Sequence, residues 1–313
     1  MHEIQISVIV PVYNEEANIS ELYGRLKAVL ASTGKTYEMV FVDDGSRDKS
    51  LDMLKAFAAK DPAVTVMEFS RNFGQHAAVM AGLEASKGGI VVTIDADLQN
   101  PPEEIPKLVS KMEEGFEVVG SWRMKRDDSL LRKIPSRILN SWSAALFGVS
   151  LKDYGCMLRA YRRGIVDQIV KCPEVRTYIP ALANSFAKNI IEIPVEHAAR
   201  KKGQSKYGVL KLLRLNFDLM TGFSLLPIQF VGLAGVAVAL FGVVFAVFLF
   251  IRRLIVGPEA EGLFTLFAIL FFFVGLQLLA LGIVGEYVGR IYQEVRRRPR
   301  YVVKNIISGG GGH

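Results

Sequence analysis

Cysteine is scarce in this 313-residue chain, which contains only Cys156 and Cys172 and no CxxC pair. Such a sequence predicts neither a disulfide framework nor a structural zinc site. No GxGxxG follows the first predicted strand and no GxxxxGK[ST] occurs, which argues against a dehydrogenase-type dinucleotide site and a P-loop. The N-terminus also lacks the basic and apolar regions of a signal peptide, so we expect the N-terminal domain to face the cytoplasm.

Charge is almost absent from two C-terminal stretches, residues 226–251 and 262–286. Each is long enough, at about 1.5 Å per residue, to cross a hydrocarbon core of about 30 Å. The sequence therefore predicts two transmembrane helices that form a C-terminal hairpin. Two buried core helices are the alternative, but they would leave little polar surface.

Basic residues lie on one side of this hairpin. They cluster between 200 and 214 and again between 290 and 300, whereas the connecting loop holds only Arg252 and Arg253. The positive-inside rule then places both termini in the cytoplasm and predicts a multi-pass membrane protein. The net charge of +7 is explained by this topology and by anionic lipid headgroups, so we expect a lipid bilayer and no nucleic acid as partner.

Short apolar strands alternate with amphipathic helices in the first part of the chain. The strands are predicted at residues 6–10, 38–42, 64–69 and 90–94. This alternation predicts an α/β domain over residues 1–206, with a mostly parallel sheet that helices cover on both faces. Ligands of such sheets bind beyond the carboxyl ends of the strands.

Two further stretches have the pattern of amphipathic helices. Residues 129–147 predict a helix that lies in the membrane interface, although a core helix with a solvated basic face is the alternative. Residues 207–225 predict a juxtamembrane helix that leads into the first span. We expect 287–313 to be a cytoplasmic basic tail, with a flexible glycine-rich end from Ser308.

Acidic clusters follow two of the predicted strands. Asp95, Asp97 and Gln99 alternate after residues 90–94, so their side chains project to one side if the backbone stays extended. Two such carboxylates repel unless a cation holds both, and an oxygen-only set favours Mg²⁺ or Mn²⁺. Asp43 and Asp44 follow residues 38–42 and predict one acceptor for a base or ribose and one residue that orients the loop. Loop or helix capping is the alternative for both pairs.

Four segments carry a family resemblance, and they occur in order along the chain: 8–15, 42–46, 95–102 and 200–207. They resemble the GT-A family 2 glycosyltransferases that act on polyisoprenyl phosphates. The resemblance covers essentially the whole chain, including the two apolar stretches. It implies a GT-A catalytic domain, interfacial helices and a two-helix membrane anchor.

The resemblance also implies roles for individual residues. The nucleotide-sugar site is formed by Pro11, Tyr13, Glu15, Asp43 and Asp95, with Arg200 and Lys206 in a loop that closes over the donor. The metal ligands are Asp95, Asp97 and Gln99, and Asp97 is catalytic. Asp153 is a base or orienting residue, or alternatively caps a turn. The lipid phosphate is bound by Arg123, Arg132 and Ser136, although either arginine could instead be an ordinary interfacial residue.

The implied activity is inverting transfer of a sugar from a nucleotide donor to undecaprenyl or another polyisoprenyl phosphate, at the bacterial inner membrane, for envelope modification. Residues 153–163 and 285–292 are similar to those of transferases specific for formamidoarabinose, which implies UDP-4-deoxy-4-formamido-L-arabinose as donor and a homotetramer. UDP-glucose or another hexose donor is the alternative, and a non-catalytic nucleotide-sugar-binding protein is a further one. A processive synthase is disfavoured because no Gln-x-x-Arg-Trp occurs.

Overall fold

A computed structural model describes residues 4–123, 156–172, 179–196, 226–257, 263–296 and 298–309. The chain divides into two compact units. The first unit comprises Met1–Lys206 together with Arg298–His313, and the second comprises Tyr207–Arg297. The predicted helices at 129–147 and 207–225 lie outside the described residues.

The described part of the first unit contains one sheet of eight strands, in the order β7-β5-β6-β4-β1-β2-β3-β8. The strands β4, β1, β2 and β3 are parallel neighbours, and β5 is parallel to β7. The strands β6 and β8 run antiparallel to their neighbours. The strand bounds are β1 Ile6–Val12, β2 Tyr37–Asp43, β3 Val64–Phe69, β4 Ile90–Thr93, β5 Val118–Arg123, β6 Arg159–Arg162, β7 Ile190–Val195 and β8 Val303–Ser308.

Helices pack against this sheet through apolar side chains, which recur at helical spacing in α1, α2, α4 and α5 and form a continuous buried run in α3. In α1, for example, Ile19, Leu22, Leu26 and Leu30 are fully buried in the same cluster as the strand residues. The predicted α/β architecture with a mostly parallel sheet is confirmed. The helices are α1 Ile19–Ser32, α2 Ser50–Ala58, α3 Gln75–Ala85, α4 Ile105–Glu113, α5 Arg163–Lys171 and α6 Ile179–Phe186.

The parallel register brings the two acidic clusters to the same edge of the sheet. In this register Val12 pairs with Asp43 across β1 and β2, and Ile9 pairs with Thr93 across β1 and β4. The segments that follow β1, β2 and β4 therefore leave the sheet side by side, which is the edge where ligands of parallel sheets bind.

The C-terminal segment differs from the predicted tail. Strand β8 pairs antiparallel with β3, and it ends with a hydrogen bond from Gly309 N–H to the Val64 carbonyl at 2.8 Å. Just before β8, the Tyr301 ring stacks on Phe69 with 5.1 Å between centroids. The β-branched residues of this short segment favour a strand, but they follow a strongly basic run. The prediction of a basic tail rested on that run. Residues 303–308 are therefore part of the sheet of the first unit.

The second unit contains two long helices, α7 Leu226–Val256 and α8 Leu263–Val295, which contact each other. Within α8, the stretch Ile269–Gly289 is long and apolar enough to cross a membrane, and none of it is buried in the protein. The apolar stretch of α7, Ile228–Gly242, is shorter. Of the predicted spans 226–251 and 262–286, the second thus matches a helix of suitable length and composition among the described residues, and the first stays a prediction. Helix α8 also continues past 286, where the tail was expected to begin.

Candidate active site

The loops that follow β1 and β2 are bonded to each other. The Asn14 backbone N–H donates to Ser46 Oγ at 3.0 Å, and the Arg47 N–H donates to Asn14 Oδ1 at 2.8 Å. Asn14 adopts a positive φ of 55°, a conformation that asparagine tolerates better than most residues. This pairing holds Tyr13, whose side chain is exposed, beside the end of β2.

Asp43 is the last residue of β2 and is almost fully buried, with 1% of its surface exposed. Its Oδ2 accepts the Ser46 N–H at 3.1 Å, but its Oδ1 has no hydrogen-bond partner among the described residues. Burial raises the pKa of Asp43, and the bonds from Ser46 and Gly45 oppose that rise. A buried carboxylate oxygen without a donor is costly, so this atom is suited to accept a bond from a ligand.

A cavity of about 340 Å³ opens at Asp43. Residues of the loop after β1, the loop after β2, the end of β3 and strand β8 form its wall. The lining residues are Tyr13, Asp43, Gly45, Ser46, Arg47, Leu51, Glu68, Phe69, Ser70, Arg71, Asn72 and Lys304.

Asp44 ties the loop after β2 to the segment before α3. Its two carboxylate oxygens accept the backbone N–H groups of Phe73 at 2.6 Å and Gly74 at 2.9 Å. Burial raises the pKa of Asp44, and these two bonds oppose the rise. The bonds of Asp44 agree with a residue that orients the loop, whereas the role of Asp43 as acceptor for a base or ribose stays a prediction.

The segment after β4 does not stay extended, because it turns at residues 96–97 and Leu98 adopts a positive φ of 60°. It carries Asp95, Asp97 and Gln99. All three are partly exposed, whereas the intervening Ala96 and Leu98 are buried. Asp95 Oδ1 accepts Gln75 Nε2 at 2.5 Å, and Asp97 Oδ1 accepts the Gln99 backbone N–H at 3.1 Å. The expected alternation is therefore present in the exposure of these residues, but the extended backbone on which the predicted shared side depended is absent from this segment.

These side chains fit a hard divalent cation, because carboxylate and amide oxygens are the ligands that Mg²⁺ and Mn²⁺ prefer. The described residues contain no group of three His, Cys, Asp or Glu side chains that could hold a metal. Two carboxylates with one amide leave positions for substrate oxygens and water, as is usual where a cation bridges protein and phosphate. Asp95, Asp97 and Gln99 would be the ligands.

Besides Asp95, two described residues that were predicted for the nucleotide site, Pro11 and Glu15, are not in the wall of the Asp43 cavity. Pro11 is paired with Val42 inside the sheet. Glu15 accepts Asn18 Nδ2 at 2.6 Å, and its backbone N–H donates to Ser50 Oγ at 2.9 Å. Their local contacts support the loop after β1, and their predicted contact with the donor stays a prediction.

The structure does not describe the side chains of the remaining predicted site residues. Arg123 is the last residue of β5, and only its backbone is described. The others lie outside the described residues: Arg132, Ser136, Asp153, Arg200 and Lys206.

Two residues in contact with the site were missed in the sequence. Gln75, at the start of α3, reaches Asp95 across 20 residues of sequence, and Lys304 of β8 lines the Asp43 cavity. Gly74 before α3 was a signal for a helix start, but no sequence pattern indicated Lys304. A larger hollow of about 730 Å³ between α4 and β7 contains none of the predicted site residues.

Comparison with known proteins connects this geometry to a family. The family model described as glycosyl transferase family 2 matches residues 7–170. A protein of Shewanella sediminis named undecaprenyl-phosphate 4-deoxy-4-formamido-L-arabinose transferase is 50% identical over 97% of this chain and 93% of its own length. A Pseudomonas aeruginosa protein of the same name is 50% identical over 96% of this chain and 90% of its own length.

Solved structures share the fold at low sequence identity. Glucosyl-3-phosphoglycerate synthase from Mycobacterium tuberculosis, in complex with Mn²⁺, uridine diphosphate and glucosyl-3-phosphoglycerate, has a TM-score of 0.51 and 21% identity. The match covers 70% of this chain and 78% of that one. A second crystal structure of the same enzyme has a TM-score of 0.51 and 22% identity, and the match again covers 70% of this chain and 78% of that one.

The family match covers more than half of the chain and contains both acidic clusters, and the relatives match nearly end to end. The sheet, with paired aspartates after β4 and a buried aspartate at the end of β2, is the GT-A arrangement that the resemblance implied. The chain belongs to glycosyl transferase family 2 and is a glycosyltransferase with a GT-A fold.

Proposed function

We propose that this glycosyltransferase moves a sugar from a UDP-linked donor to undecaprenyl phosphate, or a related polyisoprenyl phosphate, with inversion at the anomeric carbon. The observation that carries the proposal is the convergence at one sheet edge of the Asp43 cavity and the partly exposed Asp95, Asp97 and Gln99. The names of the relatives, at 50% identity over almost the whole chain, support the acceptor and favour 4-deoxy-4-formamido-L-arabinose as the sugar.

The donor would bind across this edge. The unpartnered Oδ1 of Asp43 would accept a bond from the base or ribose, with Tyr13 at the cavity mouth. Asp95, Asp97 and Gln99 would hold Mg²⁺ or Mn²⁺ against the diphosphate. When bound, the cation would neutralise charge that develops on the departing nucleoside diphosphate.

The transfer needs little further acid–base chemistry from the protein. A phosphate oxygen of the lipid attacks the anomeric carbon, while the bond from that carbon to the diphosphate breaks and its electron pair leaves with UDP. A phosphomonoester with a second pKa near 6 is mostly ionised at pH 7, so the attacking oxygen needs no obligatory base. Asp153 would orient the reactants or act as the base, Arg123, Arg132 and Ser136 would bind the lipid phosphate, and Arg200 and Lys206 would close over the donor.

The acceptor requires the reaction to occur at a membrane. The stretch Ile269–Gly289 of α8 would anchor the enzyme, with α7 as the second span and both termini in the cytoplasm of a bacterial cell. The product would be a lipid-linked sugar for envelope modification, and the enzyme would assemble as a homotetramer.

Purified full-length protein in detergent, undecaprenyl phosphate, Mn²⁺ or Mg²⁺ and a panel of UDP-sugars would test the proposal, with the lipid product identified by mass spectrometry. We expect a lipid-phosphate-sugar with the formamidoarabinose donor. A product with UDP-glucose alone would reassign the sugar. Nucleotide binding without any lipid product across the panel would contradict transferase activity toward this lipid and favour the binding-protein alternative.

A further inference from the structure

Strand β8 brings a basic side chain to the wall of the Asp43 cavity. The register between β3 and β8 shifts at one position: Glu68 pairs with Asn305, but Phe69 pairs with Val303. Lys304 is therefore the extra residue of a β-bulge and has no partner of its own in the ladder. Bulges turn a side chain away from the direction that regular alternation would give it, and they are frequent beside active sites.

The bulge directs Lys304 toward Glu68. Lys304 Nζ lies 2.5 Å from Glu68 Oε1, and the Glu68 carboxylate is almost fully buried. The lysine itself stays 61% exposed, so its ammonium group is both fixed by Glu68 and open to the cavity. An ammonium group carries three N–H donors, and the bond to Glu68 uses one of them.

Glu68 and Asp43 are direct neighbours across the sheet. They pair in the parallel register of β2 and β3, and both line the cavity. The cavity thus presents an unpartnered carboxylate oxygen of Asp43, which can only accept hydrogen bonds while it is ionised, and the Lys304 ammonium group, which can only donate them.

We propose that Asp43 and Lys304 together recognise the edge of the uracil base, and that Lys304 is the residue that favours uridine over cytidine nucleotides. Uracil presents an N3–H donor flanked by two carbonyl acceptors. Cytosine presents an N3 acceptor next to an amino donor. With the carboxylate opposite N3 and the ammonium group opposite the substituent at position 4, the pair matches uracil and opposes cytosine. The inference rests on the proposed function, since it concerns the nucleotide of the proposed UDP-linked donor.

A purely structural role for Lys304 makes a different prediction. Lys55 also pairs with Glu68, at 3.2 Å, but Lys55 is not among the residues that line the cavity. If Lys304 served only to balance the charge of Glu68, removal of either lysine would weaken every nucleotide alike. If Lys304 contacts the base, only its removal changes the ratio between UDP and CDP affinity.

Calorimetric titration of the full-length protein with UDP and with CDP, at one fixed Mn²⁺ concentration, separates these cases. The diphosphate is common to both nucleotides, so metal effects cancel in the ratio. We expect the wild-type protein to bind UDP more tightly, Lys304→Met to lower that preference by about tenfold, as for loss of one charged hydrogen bond, and Lys304→Arg to restore part of it. Lys55→Met keeps the wild-type ratio.

Thermal melting of each variant shows whether it is folded before the ratio is interpreted. If wild-type protein prefers UDP and Lys304→Met keeps the same ratio, Lys304 does not read the base, and the proposed function stands. If wild-type protein binds neither nucleotide, the proposed donor is wrong and the role of Lys304 is overturned with it. A folded Lys304→Arg variant that matches Lys304→Met in its ratio would also contradict a hydrogen bond from this side chain.

Discussion

Gly45 is the residue at which the loop after β2 passes closest to the segment before α3. It adopts a positive φ of 71°, and a Cβ atom at this position would lie 2.7 Å from the Arg71 carbonyl carbon and 2.8 Å from the Asn72 nitrogen. Both neighbours are backbone atoms, which cannot rotate away as a side chain can. The close approach is what lets Asp43, Ser46 and Arg71 line one cavity.

Replacement of Gly45 by alanine should therefore destabilise the domain and weaken nucleotide binding. Gly34 provides a matched control, because its φ is also positive, at 67°, but nothing lies within 4 Å of its Cβ position. We expect Gly34→Ala to cost about 1 kcal/mol of unfolding free energy from the backbone conformation alone, and Gly45→Ala to cost about 1–3 kcal/mol more from overlap. Equal melting temperatures for the two variants would refute this explanation.

Gln75 positions one of the two paired carboxylates. Its amide donates to Asp95 Oδ1, so Gln75→Ala should loosen that ligand while both carboxylates remain. Loss of such a supporting bond typically lowers metal affinity by about 10–100-fold. The expected result is weaker Mn²⁺ binding in a fluorescence-quenching titration with UDP present, at an unchanged melting temperature. Gln168→Ala, on the exposed face of α5, is the control, and the prediction fails if both variants bind Mn²⁺ alike.

Among individual site residues, the sequence predicted those that are related to residues nearby in the chain. The spacing of Asp95, Asp97 and Gln99 was sufficient to predict their alternating exposure, but the turn after β4 and the positive φ of Leu98 were not predicted. The contact of Gln75 with Asp95 and that of Lys304 with Glu68 depend on strand order and on a bulge, which no local pattern encodes.

Strand β8 is the element with the largest effect on the site. It covers the edge of β3 and places Lys304 and Asn305 at the Glu68 carboxylate, which Lys55 of α2 also contacts. Although burial alone would raise the pKa of Glu68, the hydrogen bonds from Lys304, Asn305 and Lys55 lower it from 4.5 to about 2. The ionised Glu68 carboxylate thus helps to hold β8 against β3.

This depressed pKa predicts a pH dependence of stability. A carboxyl group whose pKa is lower in the folded state stabilises the fold above the unfolded pKa and loses that contribution as pH falls through the folded pKa. Between about pH 4.5 and 2 the wild-type protein should lose about 1–3 kcal/mol relative to Glu68→Gln, which has no group to titrate. Chemical denaturation of both proteins across this range measures the difference, and a pH-independent difference would contradict the assignment.

Removal of β8 should also expose the edge of β3. An unpaired edge strand is a template for association with other chains. Deletion of residues 303–313 should lower the melting temperature by several degrees and promote aggregation, whereas deletion of residues 310–313, beyond the strand, should do neither. Light scattering during heating distinguishes the two truncated proteins. If the longer deletion were as soluble and stable as the shorter one, β8 would not be an integral strand.

Helices and strands were predicted correctly where their pattern of apolar residues extends over enough residues to be recognised. The strands before residue 95 were located within a few residues, because each is a run of buried apolar residues, and the alternation with helices between them was predicted correctly. Strand β8 was missed because six residues next to a basic run and a glycine-rich end carry little periodic signal.

On the scale of the whole molecule, the catalytic sheet is completed by residues that follow both long helices in sequence. The first unit ends at Lys206 and resumes at Arg298, so β8 is synthesised after α7 and α8. The Asp43 cavity, which Lys304 lines, is therefore complete only once residues beyond both long helices have been synthesised. Composition alone predicted the division into a mixed-polarity domain and an apolar segment. It did not indicate that the chain returns to the first unit after the apolar segment.

The central claim is that Asp95 and Asp97 hold a divalent cation against the diphosphate of the donor, and the most direct test is Mn²⁺ binding measured by electron paramagnetic resonance in the presence of UDP. Asp97→Asn keeps the shape of the side chain and removes its charge, while Asp167→Asn removes the same charge from the exposed face of α5. Wild-type protein and Asp167→Asn should each bind one Mn²⁺ per chain, and Asp97→Asn should bind it at least about tenfold more weakly. Undiminished Mn²⁺ binding by Asp97→Asn would contradict this claim.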